Sequence, residues 1–335
     1  MTRHVVLVTY GEPPAAAFVD QLVYSWRILV GLTRTVAPIP WPLLPLIAGA
    51  RAHRRRRTWT SYGYRSPLEA ITANQAERLR GALASADDAG SWQVHVGWEF
   101  RRPLLGEVLD AIPAGEPVWV APMYVADSAF THALSRATAA AHAAATGRRG
   151  AVHVLGALDA DVLAELSAAH VLAHTATGRG WQGPDVALVL AAHGTVLEPS
   201  KPIDTGLVAT ERLCQAIATR LAGHFGQVIN GWLNHTRGGR WTEPPMEEAL
   251  QEVADAGFAR VVYFPYGFLA DNAESELEGR LVLERHDAIE ALHLPCLNAS
   301  PALAAVLAEH LTRLAARSAA QARRLTSPAS GVASA

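Results

Sequence analysis

Short apolar runs alternate with longer helical patterns along this chain, and that alternation limits the fold more than any other feature. The strand-sized runs fall at residues 4–9, 93–97, 118–121, 151–155, 186–191, 227–232, 260–264 and 291–294, and Val, Ile and Leu dominate them. They are too short for helices and carry the β-branched residues that strands favour. Between them, helical spacing extends over residues 67–84, 128–146, 160–174, 204–222 and 245–256. Strands separated by helices build mostly parallel, doubly wound sheets, because each helix carries the chain back across the sheet. The expected class is therefore α/β.

The glycine-rich stretch 175–184 lacks helical periodicity and is the expected domain boundary. It divides the chain into an N-terminal α/β domain, 1–178, and a C-terminal one, 179–316, each with about four strands. The remainder, 317–335, drifts into Ala, Ser and Thr and is expected to be a disordered tail.

Composition narrows the function. Among 335 residues, half are hydrophobic and the formal charge is −2, so a large core is available and no general electrostatic attraction to nucleic acid exists. The basic run at 51–57 is short; a solvated loop or a clamp for an acidic ligand fits it. Two cysteines, Cys214 and Cys296, can build neither a disulfide framework nor a four-thiolate iron–sulfur cluster. A cytoplasmic setting is expected on that ground, and the opening residues lack the long apolar core of a signal peptide. Segment 36–50 is apolar but too short and proline-interrupted to cross a membrane. It fits either a buried loop or an apolar lip at a pocket or membrane surface.

In open α/β sheets, ligands bind beyond the carboxyl ends of the strands. Four such ends carry chemistry here: Thr9-Tyr10-Gly11-Glu12-Pro13, Pro122-Met123-Tyr124, Ala192-His193-Gly194-Thr195, and the stretch from Pro265 through Asp271 to Glu274. No glycine-rich phosphate loop is present, which argues against nucleotide chemistry and against an organic nucleotide cofactor. His193 fits either a loop histidine bonded to backbone or a metal ligand or base with a near-neutral pKa. Glu274 opens a helical pattern with Glu278 one turn on; acids there complement a helix dipole or form part of a site.

Taken in order, these segments resemble the ferrochelatase family. Tyr10-Gly11-Glu12-Pro13 is similar to its first-strand turn, and Ser66-Pro67-Leu68 with Thr72, Gln75 and Ala76 to its Ser-Pro-Leu helix. Ala121-Pro122-Met123-Tyr124 resembles a Leu-Pro-Leu-Tyr strand end, and Ala192-His193-Gly194 a Ser-Ala-His loop. Trp241-Thr242-Glu243-Pro244, Pro265-Tyr266-Gly267-Phe268-Leu269-Ala270-Asp271 with Glu274, and Leu297-Asn298-Ala299-Ser300-Pro301 complete the set.

The resemblance implies two doubly wound domains of similar topology with a porphyrin cleft between them, and insertion of ferrous iron, a substrate, into the ring. It assigns His193 and Glu274 as the catalytic pair and as metal ligands, with Glu278 as a further ligand. It assigns Tyr10, Arg27, Ser66 and Tyr124 to porphyrin binding. Tyr10 and Arg27 resemble the branch acting on coproporphyrin III in preference to protoporphyrin IX; Arg27 and the run 51–57 could meet the acidic edge of coproporphyrin. Segment 36–50 falls at the family's variable lip, where a peripheral membrane contact is expected; the protein is expected to be a monomer. The sequence departs from the family at Asn272, where a histidine is usual, at Thr195-Val196, and along the helix after Glu274, where Gly279, Leu281 and Val282 stand. Those departures keep two other functions in view, a non-catalytic haem- or porphyrin-binding homologue and a cobalt or nickel chelatase of a cobalamin-pathway tetrapyrrole.

Overall fold

The apolar runs pair as two four-stranded sheets with the same strand order. A computed structural model describes residues 2–35, 39–86, 91–147, 151–176, 180–234 and 239–326. The first sheet runs β2-β1-β3-β4, from strands β1 (Arg3–Thr9), β2 (Trp92–Trp98), β3 (Val118–Pro122) and β4 (Val152–Val154). The second repeats the order as β6-β5-β7-β8, from β5 (Gly183–His193), β6 (Phe225–Leu233), β7 (Arg260–Phe264) and β8 (Glu290–His293). Every pairing in both sheets is parallel. The central strands are covered on both faces, which is why Val5, Val6, Leu7 and Val8, like Val186 to Ala191, are buried without alternation. Each expected strand is present, with ends within three residues of the expected ones.

The helices are α1 (Phe18–Thr35), α2 (Leu44–Ser61), α3 (Leu68–Ala86), α4 (Leu105–Ala111), α5 (His132–Thr146), α6 (Ala160–Thr175), α7 (Leu207–Arg220), α8 (Met246–Asp255), α9 (Gly279–Glu284) and α10 (Pro301–Thr326). The expected boundary at 178/179 lies outside the described residues. One sheet stands on either side of it, and a single apolar core joins them, with Leu7, Leu79 and Trp119 from the first half and Leu188, Phe264 and Leu311 from the second. Helix α10 packs back onto α3.

Two expectations need correction. Residues 317–326 continue α10 instead of starting a tail, since Ala319, Ala320, Ala322, Arg323 and Arg324 are strong helix formers; residues 327–335 lie outside the described residues. The run 51–57 is helical and belongs to α2, and the lip segment leads into it through a 3₁₀ turn, Trp41–Leu43. Residues 36–38 of that segment lie outside the described residues. Pro42 and Pro45 start these helical pieces because a first turn needs no N–H from them. Helix α2 lays Leu44 and Ala48 against Leu29 of α1, and Trp59 against Ala273 and Leu277, so it bridges the first half to the second.

Candidate active site

The strand order reverses beside β1 in the first sheet and beside β5 in the second, and ligands of open sheets gather at such points. Tyr10 follows β1, Tyr124 follows β3, and His193 is the last residue of β5. The loop after β7 approaches the end of β5 so closely that a Cβ on Gly267 would lie 2.6 Å from the Ala192 Cα; only glycine fits there. Its far end is locked. Asp271 Oδ1 accepts from Cys296 N at 2.8 Å and Oδ2 from Asn298 Nδ2 at 2.6 Å, while Asn298 Oδ1 accepts from Asp271 N at 2.8 Å. Gln75 of α3 donates to the carbonyls of Leu269 and Asn298, both at 3.0 Å. The motif residues Gln75, Asp271 and Asn298 thus hold the loop that presents Glu274.

Glu274 stands in a π-helical turn, Ala273–Glu278, a geometry often found at functional sites. Asn272 caps that turn: its Oδ1 accepts from Glu274 N at 2.9 Å and Ser275 N at 3.3 Å. The turn brings Glu274 Oε1 to 2.5 Å from His193 Nδ1, across 81 residues of chain. The His193 side chain is 48% exposed and that of Glu274 16%, so the imidazole is open to solvent and the carboxylate stands behind it. Burial disfavours the imidazolium, but the charge and hydrogen bond of Glu274 outweigh it, and the His193 pKa is raised. Burial and the like charge of Glu274 push Glu278 up to about 7, against Arg55, His193 and Arg51.

As a metal site, the arrangement offers the His193–Glu274 pair. Among the described residues no three His, Cys, Asp or Glu side chains converge as a ligand set; Glu278 acts on the pair through its charge.

Tyr10 and Tyr124 come together, with ring centroids 4.8 Å apart, and Tyr10 also stacks on Phe100 at 5.7 Å. Tyr10 Oη donates to the Phe130 carbonyl at 3.1 Å. Burial, then the charges of Tyr24, Glu274 and Glu99, raise its pKa, so it stays a phenol. Arg27 Nη1 donates to the Phe100 carbonyl at 3.2 Å, beside the same rings. Ser66 is turned inward: its hydroxyl donates to Glu12 Oε1. It therefore braces a carboxylate in this structure, because Glu12 is buried and needs its donors.

Several residues of this region escape motif reading. Arg55 donates to Glu12 Oε2 at 3.2 Å and to Gln21 Oε1 at 2.9 Å, and lies over the Tyr24 and Trp59 rings. Arg51, one turn earlier, is close enough to Glu274 and Glu278 for their charges to act on it. The basic run is therefore split: Arg51 and Arg55 face inward, and His53, Arg54, Arg56 and Arg57 are exposed or nearly so. The i,i+4 spacing of Arg51 and Arg55 is a signal only for a run read as helical. Glu99, directly after β2, carries no signal at all.

A sequence model of the ferrochelatase family matches residues 3–314. A curated ferrochelatase of Synechococcus sp. (strain JA-2-3B'a(2-13)) is 25% identical over 92% of this chain and 92% of its own. That of Synechococcus elongatus (strain ATCC 33912 / PCC 7942 / FACHB-805) is 23% identical over 89% and 78%. Among solved structures, SirB from Bacillus subtilis, with Fe3+, shares the fold at a TM-score of 0.54 and 12% identity over 96% of this chain and 98% of its own. A multi-domain Deinococcus radiodurans protein described as structurally similar to chelatases shares it at 0.52 and 21% identity; 91% of this chain spans 53% of that one.

Proposed function

The chain belongs to the ferrochelatase family of metal chelatases, and from that premise we propose that it inserts ferrous iron into a porphyrin in haem biosynthesis, with coproporphyrin III preferred over protoporphyrin IX. It does so as a cytoplasmic monomer, with iron as substrate and with neither an organic cofactor nor an iron–sulfur cluster. The observation that carries this is the His193 Nδ1–Glu274 Oε1 contact of 2.5 Å at the carboxyl edge of the second sheet.

Insertion requires two pyrrole N–H protons to leave as the nitrogens take the metal. A neutral His193 accepts one, and Glu274 steadies the resulting imidazolium. The pair offers nitrogen and oxygen donors that suit ferrous iron and release it to the ring, and that release frees the His193 nitrogen to take the proton. Neither group changes oxidation state; the iron enters and leaves as Fe2+. Tyr10 and Tyr124 offer aromatic faces from the first sheet, and packed walls on both sides favour a ring bent toward the geometry of insertion.

The preference for coproporphyrin III is supported by Arg27 and Arg51, whose guanidinium groups border this edge and can meet carboxylates. A charge-assisted contact contributes about 1.5–3 kcal/mol, so kcat/KM for coproporphyrin III should exceed that for protoporphyrin IX by at least about tenfold. Equal values for the two porphyrins in one assay would remove the preference.

A peripheral contact with anionic lipid is supported by helices α1 and α2. Val19 is 67% exposed, Trp41 60% and Leu46 70%, and the exposed face of the basic run lies on the same hairpin. Among the described residues no helix is long and apolar enough to cross a membrane. The protein should sediment with vesicles containing phosphatidylserine and not with purely zwitterionic ones, and Leu46→Glu should weaken that binding severalfold. No sedimentation with either vesicle would exclude the contact.

A further inference from the structure

Glu99 is a carboxyl in an unusual place. It follows β2 directly, and its backbone continues along the end of β1, with Glu99 N donating to the Thr9 carbonyl and Phe100 N to the Tyr10 carbonyl, both at 3.0 Å. That puts it at the same carboxyl edge as Tyr10 and Tyr124. Its side chain accepts a hydrogen bond from Ser135 Oγ of α5 at 2.6 Å. The neighbouring cations are engaged elsewhere: Arg101 with Glu69 at 3.1 Å, Arg102 with Glu107 at 2.9 Å, and Arg136 with Asp127 at 2.6 Å. A largely enclosed carboxyl without a cation lowers stability, so packing alone gives no reason to keep one here.

On one side of Glu99 lies the Tyr10–Tyr124 pair. The Tyr124 hydroxyl is buried without a hydrogen-bond partner, and so is Nε2 of His132, whose ring lies 6.1 Å from that of Tyr124. Buried polar atoms left in this state imply water or a ligand. On the other side, Glu99 lines an open groove between α4 and α5 together with Leu105, Glu107, Asp110 and Thr138. Glu99 thus stands between the Tyr10–Tyr124 pair and an open groove.

We propose that Glu99 is the second proton acceptor of the reaction, taking the pyrrole proton that leaves toward the first sheet, by way of water at the Tyr124 hydroxyl, and releasing it into the α4–α5 groove. This rests on the metal-insertion function proposed above. The balance closes: the porphyrin loses two protons and gains Fe2+, His193 becomes imidazolium, Glu99 becomes a carboxylic acid, and both return their protons to water. The groups facing Glu99 cannot substitute for it. Burial holds Tyr10, Tyr24 and Tyr124 as phenols and His132 as neutral imidazole. Glu107 and Asp110, on the groove side, pair with Arg102 and His142. Burial pushes Glu99 up to about 7, with the Ser135 hydrogen bond pulling it down, which matches an acceptor working near neutral pH.

The test compares wild type, Glu99→Gln, Glu99→Asp and Ser135→Ala, each as the full chain, for anaerobic Fe2+ insertion into coproporphyrin III across pH. Glu99→Gln should lower kcat by about 100-fold and lose the limb near pH 7, with porphyrin affinity and thermal midpoint unchanged. Glu99→Asp should retain part of the rate. Ser135→Ala should move that limb to higher pH, because removing a donor to the carboxylate raises the Glu99 pKa; a purely structural role would not move it. Wild-type kcat and an unchanged pH profile in Glu99→Gln would overturn the proposal while leaving the function standing. A wild-type protein that inserts no metal into either porphyrin would overturn the function itself.

Discussion

Replacing His193 with alanine is expected to lower metal insertion by about 100- to 10,000-fold while porphyrin affinity changes little. The imidazole stands at the end of β5, nearly half exposed, and its removal leaves the flanking backbone paired, since Gly194 N still donates to the Leu233 carbonyl and Gly267 N to the Ala191 carbonyl. Binding and turnover should therefore separate, which fluorescence titration and a stopped-time insertion assay can read on the same preparation. Near-wild-type turnover would take His193 out of the mechanism. Wild-type protein that binds porphyrin tightly and never inserts metal would point to the non-catalytic homologue.

The pH dependence has a definite sign. His193 accepts a proton only when neutral, so the rate should rise with pH through its raised pKa. In Glu274→Gln the charge that raises the pKa is gone, and the limb should move to lower pH. Stability runs the other way. Glu278 keeps its proton in the folded chain up to about 7 against 4.5 for a free side chain, so its contribution is present at low pH and is lost as pH rises across that window.

Much of this architecture is legible in the sequence, and for a physical reason. Strands such as β1 and β5 are buried on both faces, so they appear as uninterrupted apolar runs, and the residues just past each run must lie at the ligand-binding edge. That is enough to single out Tyr10, Tyr124, His193 and the approach to Glu274. Pairings between distant segments are not legible. Ser66 has the family's spacing, yet its partner here is Glu12, 54 residues away, because both meet beneath α2. Helix α2 itself is obscured by its prolines, which read as breaks when they stand at helix starts. On a helix, Arg51 and Arg55 fall on one face and their exposed neighbours on the other. Glu99 has no pattern to betray it, since its character comes from Ser135 and Tyr10 packing around it.

Glu12 carries the largest expected effect on stability. It is 6% exposed and accepts from three elements at once: the Ser66 hydroxyl ahead of α3, Arg55 Nη2 of α2, and Ala273 N at 2.9 Å, the first residue of the turn that bears Glu274. Burial raises its pKa, and Arg55 is the main force in the opposite direction. Glu12→Ala leaves the Arg55 guanidinium, 18% exposed, without its carboxylate and a buried N–H without an acceptor. Loss of one partner of a buried ion pair costs about 3–5 kcal/mol, and urea unfolding should show a change of that size. A change below about 0.5 kcal/mol, the scale of an ordinary surface substitution, would refute the role. The double variant Glu12→Leu with Arg55→Met separates stability from positioning. Replacing both charges with apolar groups should restore most of the unfolding free energy. It cannot restore the acceptor for Ala273 N, so the Glu274 turn stays loosened and insertion should remain slow. Recovery of stability and rate together would mean that the pair only fills space beneath α2, and that Glu274 is held without it, by Asn272 and the Asp271–Asn298 lock.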